Sequence, residues 1–398
     1  MRIGMILDKT FPPDSRVENE AISLIDAGHE VFLFCLHYGE ASDEEVINGI
    51  QVRRYKSNKL EYKLSALAYT ISAYQKLMAP KIREFLINHD IEVIHVHDMA
   101  IAQAAFDVNK KLGLPLVLDL HENRPEIMRH YGHVKSLKGR LLISPDKWEK
   151  KQEEFVGLAD KVVVVTEEAK LASLEYKNKA SEDIIVVPNT IHPEIYNEYP
   201  VDQKIVDRFR DEFIILYLGD TGLRRGTDTA IKAMPKILKH IDNAKLVLVG
   251  NNNSEDEVLR SLITELGLQE SVVMEGWQDV SLFPSYVKSA SVCISPLKRN
   301  AHHDTTFANK IFQYMAVGKP VVVSDSTAQA NVIKQENCGL VHQADDEDDL
   351  AAKIIAIYDD PETAEEMGRN GMQAVANKWN WNLTSAQLIN LYATFSKG

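Results

Sequence analysis

Long apolar runs are missing from this chain of 398 residues. No stretch of about eighteen consecutive apolar residues occurs, which argues against a membrane-spanning helix. The opening Met1-Arg2-Ile3-Gly4-Met5-Ile6-Leu7 is too short for a signal peptide and runs straight into Asp8-Lys9. Cysteine is scarce: Cys35, Cys293 and Cys338 lie far apart, without metal or redox spacing, so a reducing cytosol is the expected compartment. Positive charge is in deficit, with a formal net charge of -13, which argues against general nucleic-acid binding. Neither G-x-G-x-x-G nor a Walker pattern is present, so neither a nicotinamide dinucleotide nor ATP is indicated.

What is present is alternation. Short apolar, β-branched runs at 3–7, 31–36, 91–97, 114–121, 161–165 and 183–187 are separated by helical patterns. In the first of these patterns Val17, Ala21, Leu24 and Ile25 share a face and Gly28 closes the helix. The stretch Pro188-Asn189-Thr190-Ile191-His192-Pro193 breaks the rhythm as a linker would. A second series follows at 213–218, 245–249, 272–274, 292–295, 320–323 and 339–341. Strand–helix alternation implies parallel sheets covered on both faces. The expected fold is therefore α/β, two doubly wound, Rossmann-like domains, whose ligands bind beyond the carboxyl ends of the strands in a cleft between them. The acidic run Asp345-Asp346-Glu347-Asp348-Asp349 suits a solvated turn or a helix start. Leu388, Leu391, Tyr392 and Phe395 give a final amphipathic helix.

Several segments carry chemistry. Gly219-Asp220-Thr221-Gly222-Leu223-Arg224-Arg225-Gly226 follows a strand and feeds a helix. Such a loop offers backbone N–H groups to an anion, and Arg225 adds a fork suited to phosphate oxygens. A plain turn with two exposed arginines is the alternative. His95 and His97 alternate along one strand and share a face, with Asp98 beyond; Asp119, His121 and Glu122 end another. A metal-dependent hydrolase could use such histidines with carboxylates, but three or four ligands at defined spacing are not evident, and no metal is assigned. Residues 128–151 hold Arg129, Lys135, Lys138, Arg140, Lys147, Lys150 and Lys151 against Asp146 and Glu149. They read either as a solvated face or as a patch in peripheral contact with anionic lipid.

The stretch 309–325, N-K-I-F-Q-Y-M-A-V-G-K-P-V-V-V-S-D, reads as a helix ending at Gly318 and a buried strand. Its wording closely resembles the donor-binding segment of family 4 (group 1) glycosyltransferases. So do Arg225-Gly226 followed by Asp228-Thr229-Ala230-Ile231-Lys232-Ala233, P-P-D-S-R-V-E-N-E from Pro12, His97-Asp98, D-L-H-E-N-R-P-E from Asp119, and Val186-Val187-Pro188-Asn189. The resemblance spans nearly the whole chain. It implies the GT-B architecture, with an acceptor-binding domain over 1–192, a nucleotide-sugar domain over 193–376, and a last segment, 377–398, that returns to the first domain. It implies a retaining transferase that needs no cofactor beyond a nucleotide-diphosphate sugar as co-substrate. A glycan or lipid-linked acceptor is implied, with no nucleic acid. The expected setting is the cytoplasm, at or near the inner face of a membrane.

Residue by residue, the resemblance places the diphosphate on Gly219, Arg225, Gly226 and Lys310. The sugar and ribose positions fall on Thr305 and Gln313, with Thr306 and Asn309 as neighbouring binding candidates; His121 faces the reacting sugar, and Asp98 is the second catalytic candidate. Three positions depart from the family's wording. Asp220 stands where many members have arginine, leaving Arg224 or Lys310 to supply that contact. Thr305 and Gln313 stand where many members have two glutamates, and Asp304 is the nearby substitute for the first. A non-catalytic nucleotide-sugar-binding partner is the competing expectation.

Overall fold

The structure, a computed structural model, describes residues 1–39, 42–129, 143–176, 179–250 and 255–395. The chain divides into two compact units, Met1–Pro188 with Ser385–Gly398, and Asn189–Thr384.

The first unit holds one sheet. Its strands are β1 (Arg2–Ile6), β2 (Glu30–His37), β3 (Glu44–Ile47), β4 (Ile50–Lys56), β5 (Val93–His97), β6 (Leu116–Leu120), β7 (Lys161–Val164) and β8 (Ile184–Val186). Their order is β3-β4-β2-β1-β5-β6-β7-β8. All neighbours run parallel except β3 and β4. That antiparallel hairpin adds an edge to the parallel strands expected. Its strands are rich in charge, so no apolar run marks them. The signal was Asn48-Gly49, both at positive φ (50° and 83°), the residue pair that a two-residue hairpin turn favours.

The helix Ser15–Asp26 starts at Asp14, whose carboxylate accepts from the Val17 N–H at 3.2 Å. It buries Val17, Ala21 and Leu24 as its periodicity requires, but Arg16 and Glu20 as well. The last helix, Ala386–Phe395, packs against Ser15–Asp26 and β8 within this unit.

The second unit is built on β9 (Phe213–Leu218), β10 (Ala244–Val249), β11 (Val272–Gly276), β12 (Val292–Ser295), β13 (Val321–Ser324) and β14 (Gly339–His342). The order is β11-β10-β9-β12-β13-β14, all parallel. Along β9, Ile214, Leu216 and Leu218 enter one core cluster and Ile215 and Tyr217 another. This two-residue alternation explains why the strand reads as one continuous apolar run: both faces are covered. Asp346 caps the helix Glu347–Asp359 by accepting from the Asp349 N–H at 2.8 Å, which places the acidic run at a helix start.

The seams between the two compact units fall after Pro188 and Thr384. Ile191 bridges Asn380, the Trp381 N–H donates to the Ile191 carbonyl at 2.8 Å, and the Thr190 and Thr384 hydroxyls meet at 2.9 Å. These contacts hold the linker and 380–384 together in the second unit.

Of the basic stretch 128–151, residues 130–142, and with them Lys135, Lys138 and Arg140, lie outside the described residues. Arg129 is engaged by Glu126, Asp146 and Glu149 at 3.3, 2.9 and 2.8 Å, and Lys151 by Glu154 at 2.7 Å. Among the described residues no helix is long and apolar enough to cross a membrane.

Candidate active site

Strand order reverses at β9/β12 in the second unit and at β1/β5 in the first. Ligands of such sheets gather outside the carboxyl ends at that point. Each unit has its functional candidates there.

In the second unit the loop after β9 turns through a short 3₁₀ segment, Leu223–Arg225, into the helix Thr227–Leu238. Gly226 lies against the loop after β12: a Cβ built on it would sit 1.7 Å from the Pro296 carbonyl oxygen. The Lys298 N–H donates to the Arg224 carbonyl at 3.1 Å. Lys310, at the start of the helix Lys310–Ala316, places Nζ 3.5 Å from the centre of the Tyr217 ring, beside Gly219. Asp220 holds the group together, with Oδ2 3.1 Å from Arg224 Nη2 and 3.5 Å from Arg225 Nε. Burial would raise the Asp220 carboxyl, but the Gly222 N–H, Arg225 and Arg224 hold it below its usual range. Burial, reinforced by Arg225, pushes the Lys310 ammonium well below the ordinary lysine value against the pull of Asp220. Gly219, Arg225, Gly226 and Lys310 are thus brought together, and Arg224 joins them.

The loop's backbone departs from expectation. Gly222 N–H donates to Asp220 Oδ1 at 2.9 Å and Leu223 N–H to Glu255 Oε2 at 2.7 Å. Arg225 and Gly226 N–H close the 3₁₀ turn onto Gly222 and Leu223. These four donors are already engaged within the protein. Asp228, in the first helical turn, carries its own cation, Lys298, at 2.9 Å.

In the sugar segment the Thr305 and Thr306 hydroxyls donate to the carbonyls of Ala301 and His302 at 2.8 and 2.7 Å. Asp304, the nearby carboxylate, is engaged by the protein itself. It accepts from the Thr327 N–H at 2.9 Å and from Arg299 Nε at 3.1 Å, tying down the helix Thr327–Glu336. Asn309 and Gln313 are half-buried; the Gln313 backbone N–H donates to the Asn309 carbonyl, and among the described residues its side-chain amide has no protein hydrogen-bond partner.

In the first unit His121 follows β6. Its Nε2 lies 2.9 Å from Asp119 Oδ2 and 3.1 Å from His97 Nδ1; its Nδ1 lies 3.9 Å from Asp98 Oδ2. Asp98 in turn meets Lys9 Nζ at 3.4 Å. Asp119, wholly buried, is held from behind by Arg16 Nη2 at 3.1 Å, and the same nitrogen reaches Glu20 Oε1 at 2.9 Å. His95 Nδ1 bonds the Tyr392 hydroxyl at 2.7 Å, so the last helix touches the cluster. The sequence marked His121 and Asp98 but not Arg16, Glu20, Lys9 or Tyr392 as polar members. The available signal was Asp119 itself, a carboxylate inside an otherwise apolar strand.

Glu20, His95, His97 and Asp119 each bring one donor atom within 4.8 Å of the others, a composition a metal would accept. The Arg16 guanidinium already lies on both carboxylates and supplies the positive charge that a metal would. The arrangement reads as a self-balanced polar network.

Two doubly wound α/β units, each with polar residues at the strand-order reversal, define the GT-B class. The superposition with solved structures agrees. Sucrose-phosphate synthase from Thermosynechococcus elongatus matches with a TM-score of 0.81 over 100% of both chains at 19% identity. Anabaena HepE in complex with UDP matches with a TM-score of 0.75 over 99% of this chain and 100% of that one at 14% identity.

The family model "Glycosyltransferase Family 4" matches residues 15–195, and "Glycosyl transferases group 1" matches residues 200–374. The chain belongs to the group 1, family 4 glycosyltransferases. Among its relatives, an uncharacterized glycosyltransferase of Methanocaldococcus jannaschii is 26% identical over 94% of this chain and 91% of its own length. The phosphatidyl-myo-inositol mannosyltransferase of Mycolicibacterium smegmatis is 23% identical over 100% of this chain and 94% of its own length.

Proposed function

We propose that this glycosyltransferase moves a hexose from a nucleotide-diphosphate sugar to a glycan or lipid-linked acceptor, with retained anomeric configuration, in building a surface polysaccharide or glycoconjugate. The observation that carries the donor half is the group Arg224, Arg225 and Lys310 around the single bridging carboxylate of Asp220. A diphosphate supplies the missing negative charge. Breaking the anomeric bond leaves charge on that diphosphate, and fixed cations lower the barrier by stabilising it. The same cations do for the leaving group what a metal would otherwise do, so the reading is metal-independent transfer. Gly219 and Gly226 shape the pocket; Thr305, Thr306, Asn309 and Gln313 serve the sugar and ribose. His121 and Asp98 of the first unit act at the reacting sugar. Related mannosyltransferases acting on phosphatidylinositol compounds support a lipid-linked acceptor. That acceptor in turn favours a cytoplasmic protein working at the inner membrane face.

A second reading, a nucleotide-sugar-binding partner without turnover, is favoured by Asp220, which already occupies the cationic group, and by the neutral Gln313. One experiment separates the two. Pure protein is incubated with UDP-, GDP- and ADP-sugars, and nucleotide release is followed with and without lipid-linked acceptors and with a chelator. Acceptor-dependent release unaffected by the chelator supports transfer; binding without release supports the partner. Loss of release on chelation would return the metal-dependent alternative.

Gln313→Glu tests the ribose contact. Charge-assisted bonds are about twice as strong as neutral ones, so nucleotide affinity should rise by about fivefold, roughly 1 kcal/mol. An unchanged or weaker affinity by calorimetry would take Gln313 out of the site.

A further inference from the structure

We infer that Asp119 and Asp98 hold His121 between them as a doubly protonated imidazolium, so that both carboxylates are positioning residues and His121 offers substrate its single remaining donor, the Nδ1–H that stands beyond hydrogen-bond distance of Asp98, instead of acting as a base. The inference concerns the chemistry of the first unit and rests on the transferase reading above.

The geometry begins at Nε2. Asp119 Oδ2 lies 2.9 Å away and His97 Nδ1 3.1 Å away. A carboxylate only accepts, so Nε2 carries a proton. His97 Nδ1 also lies 3.5 Å from the same carboxylate oxygen. At the other side of the ring, Nδ1 faces a second carboxylate, Asp98 Oδ2, at 3.9 Å. Asp98 is kept there by its backbone, at a φ of +63° and with its N–H on the Asp119 carbonyl at 2.9 Å. A left-handed aspartate is an unusual conformation outside turns, and it directs the residue at His121.

Charges therefore alternate in sign along one line: Arg16, Asp119, His121, Asp98, Lys9. The links are 3.1, 2.9, 3.9 and 3.4 Å. A neutral His121 would leave two carboxylates facing each other across an uncharged ring.

The surrounding titratable groups are consistent with this. Burial lowers His95, and burial with His95 lowers His97 to about 3, so both stay neutral. Burial raises Glu20 well above its usual range despite Arg16. Burial raises Asp8 to about 6 against the pull of Lys9. Burial would raise Asp119, yet Arg16 and His121 hold it well below the usual carboxylate range. Burial opposes charge on His121 itself, but Asp119 and Asp98 outweigh it and push the imidazole up to about 9. Arg124 and the Tyr392 hydroxyl complete the groups that reach the cluster from the loop after β6 and the last helix. With 11% of its side chain exposed, His121 remains reachable by substrate.

An imidazolium has no lone pair with which to take the acceptor's proton. In the proposed transfer the bond from the anomeric carbon to the diphosphate oxygen breaks and a bond to the acceptor oxygen forms. The acceptor's proton must then leave with the diphosphate, while His121 stabilises negative charge or a sugar hydroxyl as a fixed donor.

The test is a long-range proton–nitrogen NMR correlation of the intact chain carrying labelled histidine, with His121 assigned by its loss in His121→Asn. Both ring nitrogens should read as protonated at pH 7, with titration only well above the ordinary histidine value of about 6.5. Asp119→Asn should bring the titration down by at least about one pH unit and lower kcat by about 100-fold, with nucleotide affinity unchanged. If Asp119→Asn does not fold, the more accessible Asp98→Asn should shift the titration in the same direction. One unprotonated His121 nitrogen at pH 7 in the wild-type spectrum overturns the inference, and that spectrum can be read without any substrate. Absence of turnover with every nucleotide sugar would instead remove the transferase reading and leave the spectrum standing.

Discussion

Replacing Lys310 by methionine should weaken binding of a nucleoside diphosphate by about 10- to 150-fold, the loss of one charged contact worth about 1.5–3 kcal/mol. Arg225→Ala should fall in the same range. The argument lies in what surrounds Lys310 before any ligand arrives. Its Nζ sits over the Tyr217 ring at 3.5 Å, and among the described residues no carboxylate oxygen approaches it within 4.0 Å. Burial and Arg225 both disfavour its charge, and Asp220 only partly offsets them. A diphosphate would reverse that balance, stabilising the ammonium that the free protein destabilises.

The sign of the pH effect follows. The Lys310 pKa is lowered in the free protein and rises when the anion is bound, so affinity is greatest below the lowered value. It falls as the pH climbs through it toward the bound value. Over that interval binding takes up a proton, which calorimetry in buffers of different ionisation heat detects. Wild-type affinity in both Lys310→Met and Arg225→Ala would move the anion site elsewhere.

The grouping of cations after β9 was legible in the sequence because it depends on backbone wording. Gly219, Arg225 and Gly226 lie in the loop after β9, whose apolar run is unambiguous, and Lys310 opens the helix Lys310–Ala316; alternation places the end of β9 at the strand-order reversal. What could not be read was which partners the side chains would choose. Asp304 is the same residue type whether it meets a sugar or caps a helix, and here it holds Thr327. The N–H groups of Gly222 and Leu223 look free in a sequence, yet Asp220 and Glu255 take them.

In the first unit the difficulty was different. Arg16 and Glu20 are charged residues one position before Val17 and Ala21, so they pass for the polar edge of an amphipathic helix. They are buried because Asp119 lies beneath them on β6. Tyr392 was legible as a core residue, and its ring is buried as expected, but its hydroxyl contact with His95 spans 297 residues and has no local signature. Long-range polar pairing is the part of a site that periodicity does not encode, because it depends on how strands are ordered and not on how each is patterned.

Gly226→Ala should combine two penalties in a single added methyl group, a backbone strain and a backbone overlap. Gly226 has a φ of 74°, where a side chain costs about 1–2 kcal/mol by backbone sterics alone. The added Cβ would also fall 1.7 Å from the Pro296 carbonyl oxygen and 2.7 Å from its carbon, both backbone atoms. No rotamer relieves such an overlap, so the loops after β9 and β12 must separate. The bond from the Lys298 N–H to the Arg224 carbonyl lies across that seam, and Arg224 and Arg225 immediately precede Gly226. Stability should therefore fall by about 3 kcal/mol, a drop in Tm of about 6–12 °C for a unit of this size. Nucleoside diphosphate affinity should fall by more than about 100-fold, since two of the three cations move together. Gly267→Ala is the control. Gly267 shares the backbone sign, with a φ of 68°, but nothing lies within 4 Å of its Cβ position. It should show the backbone penalty alone, a Tm drop of about 2–8 °C, with nucleotide affinity unchanged. Equal melting shifts and equal affinities in the two variants would mean that Pro296 yields freely and that the apposition of the two loops does not shape the anion site.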